Sequence, residues 1–226
     1  MPPVAVANAR PDLGPGEAGS RESMAREKQR LRASLLPRLR SIPVARATRA
    51  GSGVADRLRE SAIWQASTEV VLFASLPGEV DSAPIFEAAR RDDRRTLLPR
   101  MLPSGALEFV PFDGFEGLAV GRYGVREPAT PTPARAPRVG TLVLVPGVAF
   151  DRSGGRLGRG AGYYDRALAG LVRGGAGPFV VGVAFPIQIV ERVPMGPHDV
   201  LLDGVVTDEE LCLAAGPRSG NSPDGQ

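Results

Sequence analysis

Cysteine, histidine and lysine are almost missing from this chain: its 226 residues include one Cys, one His and, in Lys28, one lysine. A lone Cys212 excludes an intrachain disulfide and suits a reducing compartment, and no Cys/His cluster has zinc-binding spacing. A Ser-His-Asp mechanism would have His198 as its only base. Aromatic residues make up 5% of the sequence, and none builds the aromatic and basic platform on which single-stranded nucleic acid stacks. Long apolar runs are absent too. The longest, Leu142 to Val145 and Phe179 to Phe185, fall well short of the roughly 20 residues that cross a bilayer. The opening MPPVAVANARPDL lacks the basic and apolar regions of a secretory leader. A monomer in the cytoplasm is expected, with neither nucleic acid nor membrane as partner.

A pI of about 9.6 points towards polyanions, but 28 basic residues face 25 acidic ones for a net charge of +3. Arginine, which stays charged at any relevant pH, accounts for the high pI. The lysine kept at position 28 therefore stands out. With 42% hydrophobic residues the chain can bury a full core, while 28 Gly and 22 Pro imply many turns.

Residues 1–22 and 215–226 carry Pro, Gly and scattered charge without periodicity and read as disordered tails around one domain, 23–214. Met24, where MAREKQRLRASLLPRLR begins, reads as the natural start. Leu31, Leu35 and Leu39 at spacings of four make that stretch an amphipathic helix, bent at Pro37. A second helix is expected at Val54 to Ser61, its beginning weakened by Gly51 and Gly53. EVVLFAS (Glu69 to Ser75) reads as a buried strand, SAPIFEAARR (Ser82 to Arg91) as a helix capped by Ser82 with Pro84 in its first turn, and RTLLP (Arg95 to Pro99) as another strand. ALEFVPF (Ala106 to Phe112) is a strand beside it, and PATPTPARAP (Pro128 to Pro137) an extended connector. TLVLV (Thr141 to Val145), a helix from Tyr163, PFVVGVAF (Pro178 to Phe185) and LDGVVT (Leu202 to Thr207) repeat the alternation. The pattern predicts an α/β fold, a three-layer sandwich whose largely parallel central sheet is covered by helices on both faces.

GRLGRGAGYYDRAL, Gly155 to Leu168, occupies the place where such sheets collect ligands, a loop running into a helix N-terminus. Gly158, Gly160 and Gly162 permit positive φ and close approach of backbone N–H groups to an anion; Arg156 and Arg159 add fixed charge. The spacing is neither G-x-x-x-x-G-K-[ST] nor G-x-G-x-x-G. Asp165, one turn into the helix, is placed to face phosphates beside magnesium, which uses one or two carboxylates with phosphate oxygens and water; Asp199 of PHDVLLD reads either as its partner carboxylate or as a turn or cap residue.

The stretch LVPGVAFDRSGGRLGRGAGYYDR (Leu144 to Arg166) resembles the signature of the 5-formyltetrahydrofolate cyclo-ligase family. LPGEVDS (Leu76 to Ser82), LPR (Leu98 to Arg100), RYGVREP (Arg122 to Pro128) and HDVLLDGVVT (His198 to Thr207) extend the resemblance over about Ala25 to Leu213. It implies an ATP- and magnesium-dependent cyclisation of 5-formyltetrahydrofolate to 5,10-methenyltetrahydrofolate through a phosphorylated formyl group, with ADP and phosphate released. Carried over, ATP contacts fall on Lys28, Arg32 and the loop Arg156, Leu157, Gly158, Arg159, Gly160, Ala161, Gly162, Tyr163 and Tyr164. Lys28, Arg156 and Asp165 are the catalytic candidates, and Asp165 with Asp199 the metal ligands. Folate contacts fall on Ala74, Glu79, Tyr123 and Tyr163 or Tyr164, one of the adjacent tyrosines being expected only to pack because helical neighbours diverge by about 100°. Gly51-Ser52-Gly53 interrupts a helix the family keeps continuous. Two other readings stand beside this one: a non-catalytic folate- or nucleotide-binding paralogue, and an ATP-independent enzyme on a related scaffold, such as a sugar-phosphate isomerase or coenzyme A transferase.

Overall fold

The computed structural model describes residues 15–121, 124–128, 132–171 and 177–214. The elements are α1 (Pro15–Arg40), α2 (Val44–Arg59), α3 (Ala62–Ala66), β1 (Glu69–Val71), α4 (Ala83–Arg91), β2 (Arg95–Met101), β3 (Leu107–Pro111), β4 (Leu118–Val120), β5 (Arg126–Pro128), β6 (Thr141–Val145), β7 (Ala149–Phe150), β8 (Arg156–Leu157), α5 (Tyr163–Leu171), β9 (Phe179–Val183), β10 (Gly204–Val206) and β11 (Leu211–Leu213). Seven strands form the central sheet in the order β11-β10-β9-β6-β1-β2-β3. The five inner strands are parallel to their neighbours, and the two edge strands run antiparallel. The α/β architecture expected from the alternating elements is thus present.

Side-chain alternation along the inner strands divides the core into two layers. Val70, Leu72, Leu142 and Leu144 pack with Leu35 and Leu39 of α1, Val54 and Leu58 of α2, and Ile85 and Phe86 of α4. Val71, Val143 and Val145 face the other way, towards Leu168 of α5 and Leu202. Near-continuous apolar strands are what two covered faces require.

Four local readings differ from the structure. Helix α1 opens at Pro15, inside the stretch expected to be a disordered tail, with proline in the first turn where a missing N–H costs nothing. Helix α2 runs unbroken through Gly51 and Gly53 from Val44 to Arg59, because these glycines serve packing. A Cβ on Gly51 would stand 2.1 Å from the Asp81 carbonyl oxygen, and one on Gly53 would stand 2.8 Å from Asp208 Cβ. Strand β1 ends at Val71; after Leu72 N–H reaches Leu97 O at 2.8 Å, the chain leaves the ladder. Ser82 stands at the N-cap of α4 as expected, but its side chain does not serve as the cap: its hydroxyl donates to the Phe73 carbonyl, and Asp81 Oδ1 instead accepts the Ala83 N–H at 3.0 Å.

Strand order fixes where a ligand can sit. From β1 the chain proceeds to β2 on one side, whereas β6 returns to β1's other side. The segments leaving the carboxyl ends of β1 and β6 therefore part and open a crevice, the switch point at which doubly wound sheets bind ligands.

Candidate active site

A cavity of about 450 Å³ fills that crevice. Its walls come from the turn after β1 (Ala74, Leu76 and Glu79), the loop Gly158 to Gly162 and the first turn of α5, with Pro99, Met101, Leu107 and Val125 forming an apolar end. Pro99 and Met101 alternate onto one face of β2. Gly160 and Gly162 have φ values of +117° and +67°, so the loop follows a path that L side chains resist.

Arg156 is the buried centre of the polar end, only 4% exposed. Its Nη2 donates to Asp165 Oδ1 at 2.7 Å and its Nη1 to Pro146 O at 3.3 Å, while its Nε is buried without a partner. The guanidinium also lies 5.6 Å from the Tyr164 ring centroid. A buried cation with an unused donor, opening onto a cavity, is a ready anion ligand.

Helix α1 reaches the same loop. Arg32 Nε donates to Gly158 O at 2.8 Å, and one turn away Lys28 Nζ is paired with Asp199 Oδ2. That carboxylate also accepts Gly196 N–H at 2.6 Å. The i, i+4 spacing expected to place Lys28 and Arg32 on one face does so, and it brings Asp199 with them. His198 is exposed in the adjoining turn.

Glu79 and Arg159, expected on different ligands, meet each other: Arg159 Nη2 and Nε lie 2.9 and 3.1 Å from Glu79 Oε1. Leu76 N–H donates to Glu79 Oε2 at 2.9 Å. Burial pushes the Glu79 carboxyl above its ordinary value, against the opposing pull of Arg159 and the Leu76 N–H. Burial likewise drives the Tyr164 phenol upward, with the Glu79 charge adding to the effect, so the hydroxyl stays protonated and available as a donor.

Both tyrosines line the cavity, although one was expected only to pack. The first turn of α5 overhangs the cavity, so both neighbouring directions meet its wall; Tyr163 also carries Arg166 5.1 Å from its ring centroid. Leu157 departs from expectation: it is 1% exposed in the core, and its carbonyl accepts Val148 N–H at 2.7 Å. Gly160 lies beside Arg32, whose Cζ a Cβ there would approach to 3.9 Å. Tyr123 lies outside the described residues. Sequence reading missed Glu127, which lines the cavity beside Val125; the V-x-E spacing in RYGVREP, two residues on extended chain, was the available signal.

The model of the 5-formyltetrahydrofolate cyclo-ligase family matches residues 24–208. The chain belongs to this family. It is 33% identical over 194 residues to the 5-formyltetrahydrofolate cyclo-ligase of Mycolicibacterium smegmatis, a match covering 84% of this chain and 97% of that one. Against the Escherichia coli K12 cyclo-ligase it is 35% identical over 145 residues, covering 63% and 79%. The NMR structure of Aquifex aeolicus 5,10-methenyltetrahydrofolate synthetase superposes with a TM-score of 0.71 at 29% identity, covering 87% of this chain and 97% of that chain. The family match begins at Met24, ten residues into the described part of the molecule, and includes every candidate site residue.

Proposed function

We propose that this protein is an ATP-dependent ligase that cyclises 5-formyltetrahydrofolate to 5,10-methenyltetrahydrofolate, releasing ADP and phosphate. One observation carries the reading: at the switch point, in a chain matching the cyclo-ligase family over 24–208, an arginine-bearing glycine loop meets a buried carboxylate across one cavity. The loop suits phosphates, and the carboxylate suits ring N–H donors. The cytoplasm is the proposed site of action and a monomer the proposed state, consistent with the balanced charge and with no described helix being long and apolar enough to cross a membrane.

In the proposed reaction the formyl oxygen attacks the γ-phosphorus of ATP, and the bond to ADP breaks. The formyl carbon is then an imino-phosphate. The neighbouring ring-closing amine attacks that carbon and loses its proton, and phosphate departs with the former formyl oxygen. Phosphoryl transfer of this kind needs positioning and charge neutralisation more than covalent help. Arg156 supplies a fixed, buried charge with an unused N–H, and Lys28 and Arg32 approach the loop from α1. Lys28 releases Asp199 in order to take a phosphate oxygen, while Arg156 and Asp165 hold each other in register.

Asp165 and Asp199 fit magnesium by their chemistry, both being hard oxygen donors beside the proposed phosphate site. Among the described residues no group of three or more His, Cys, Asp or Glu could hold a metal alone, and an ion held here by Asp165 and Asp199 would take its remaining ligands from phosphate oxygens and water. Bound there, magnesium would neutralise charge on the phosphate oxygens.

The decisive test is near-ultraviolet absorbance of the protein with 5-formyltetrahydrofolate, adding ATP and magnesium separately and then together. Methenyl product should form only with both. A folded, ATP-binding protein that yields none points to the non-catalytic paralogue. Within the same assay, Lys28→Met should raise the KM for ATP about tenfold, the order expected for one lost charge-assisted contact, with a fall in melting temperature of only about 2–4 °C because Asp199 keeps the Gly196 N–H; unchanged ATP kinetics would remove Lys28 from the site. Asp165→Asn should lower turnover by about 10- to 100-fold, one to two such contacts. Binding of 5-formyltetrahydrofolate, followed by calorimetry, should change little. Equal losses in both would assign Asp165 a packing role.

A further inference from the structure

Glu127 is a second buried carboxylate in the same cavity, and the reaction as described does not use it. It stands on β5 at 9% exposure, at the apolar end formed by Pro99, Met101, Leu107 and Val125. Its Oε2 accepts the Met101 N–H at 3.1 Å; among the described residues no basic side chain pairs with it. An uncompensated carboxylate is costly to desolvate. The backbone nevertheless makes room for this one: a Cβ on Gly121 would stand 2.5 Å from Glu127 Cδ. Glu79, by contrast, has both oxygens engaged, one by Arg159 and one by the Leu76 N–H.

The cavity is therefore polarised. Arg156, Asp165 and the glycine loop lie at one end, and an apolar slot closed by a partly satisfied carboxylate lies at the other. We propose that Glu127 recognises the amino-pyrimidinone edge of the reduced pterin, its oxygens accepting from the 2-amino group and the neighbouring ring N–H. The substrate comes from the cyclo-ligase reading, on which this inference rests. With the formyl oxygen directed at the γ-phosphate, the reacting side of the ring belongs at the Arg156 end. The far side, where two N–H donors lie next to each other, then falls at the apolar end. Pro99, Met101 and Leu107 offer flat apolar contact to the ring body, and a carboxylate is the side chain whose two acceptors match two adjacent donors.

Glu127→Gln isolates this role, because glutamine retains a carbonyl oxygen for the Met101 N–H while losing the charge and one acceptor. The KM for 5-formyltetrahydrofolate should rise about 10- to 50-fold, the range for losing one or two hydrogen bonds to a charged group, with the KM for ATP and the melting temperature near wild type. Calorimetry with the analogue bearing a methyl in place of the 2-amino group supplies a readout that a structural role would not move. Wild type should bind the analogue at least about tenfold more weakly than 5-formyltetrahydrofolate, and Glu127→Gln should discriminate between the two less than about twofold. Gly121→Ala, which presses on the carboxylate without removing its charge, should shift the folate KM in the same direction.

Equal rises in the KM for folate and for ATP, full discrimination kept by Glu127→Gln, or an unchanged folate KM would each overturn the inference. Wild type binding both compounds equally would overturn it too, even if the variant failed to fold. A wild-type protein that makes no methenyl product sinks the cyclo-ligase reading itself, an outcome distinct from all of these.

Discussion

Arg156→Met should reduce kcat/KM for ATP-dependent cyclisation by about a thousandfold or more, the scale on which a single arginine acts in phosphoryl transfer. The side chain cannot be replaced by water or by a neighbour. It is almost wholly buried, bridges Pro146 O and Asp165, packs over Tyr164 and keeps an Nε donor unpaired. Losing the guanidinium leaves the Asp165 carboxylate without its cation, but Asp165 retains some water contact, its side chain being 19% exposed. The stability loss should therefore stay near 1–2 kcal/mol, well below that of a fully buried broken pair. For a chain of this size that corresponds to a fall in melting temperature of about 2–8 °C. Arg156→Lys separates charge from geometry. An ammonium can neutralise phosphate but cannot bridge Pro146 and Asp165 in a planar fork, so about a hundredfold loss should remain. Initial rates read alongside thermal melts test both variants, and a Lys variant with wild-type rates would reduce Arg156 to a source of charge.

Much of this site was legible because its chemistry is local in sequence. Arg156, Gly158, Gly160, Gly162 and Asp165 lie within ten residues, so one loop entering one helix suffices to place them together. Lys28 and Arg32 were legible through helical spacing, and the solitary lysine drew attention to its own position. What the sequence did not reveal was pairing across the cavity. Arg159 was read as a phosphate ligand and Glu79 as a pterin ligand, 80 positions apart, and their ion pair depends on how β1 and β6 diverge at the switch point. Glu127 was invisible for a related reason. It is a single carboxylate in a short hairpin, and its burial depends on β5 seating against Met101, a tertiary fact to which the V-x-E alternation alone does not point.

The Arg159–Glu79 pair ties the glycine loop to the turn after β1. Burial pushes the Glu79 carboxyl above its ordinary value and Arg159 pulls against that shift, while the arginine's own charge is partly spent on the carboxylate. Glu79 holds Arg159 through both Nε and Nη2, so an anion reaching the loop would have to compete with it for those donors.

Gly51→Ala should destabilise the fold by about 2–4 kcal/mol, although Gly to Ala inside an exposed helix normally stabilises by roughly 0.5–1 kcal/mol. The sign reverses because the new methyl has no free volume. It would stand 2.1 Å from the Asp81 carbonyl oxygen and 3.1 Å from Pro84 Cγ, and the nearer obstacle is backbone rather than a flexible side-chain tip. That backbone is itself tied to α2: Asp81 N–H donates to Ala47 O at 3.2 Å, and Thr48 Oγ1 donates to Asp81 Oδ2 at 2.9 Å. Relieving the overlap means separating α2 from the turn that starts α4, at the cost that overpacked cores show. The turn also carries Glu79, so strain there reaches the cavity. The melting temperature should fall by about 4–16 °C, with the folate KM rising before the ATP KM does. Ser52→Ala is the control. It keeps the helix and loses only an exposed hydroxyl bond to Thr48 O, and should leave stability within about 0.5 kcal/mol of wild type. A Gly51→Ala protein as stable as wild type would show that α2 and the Asp81 turn can part freely, and would return the two glycines to the role first read for them, a weak point in the helix.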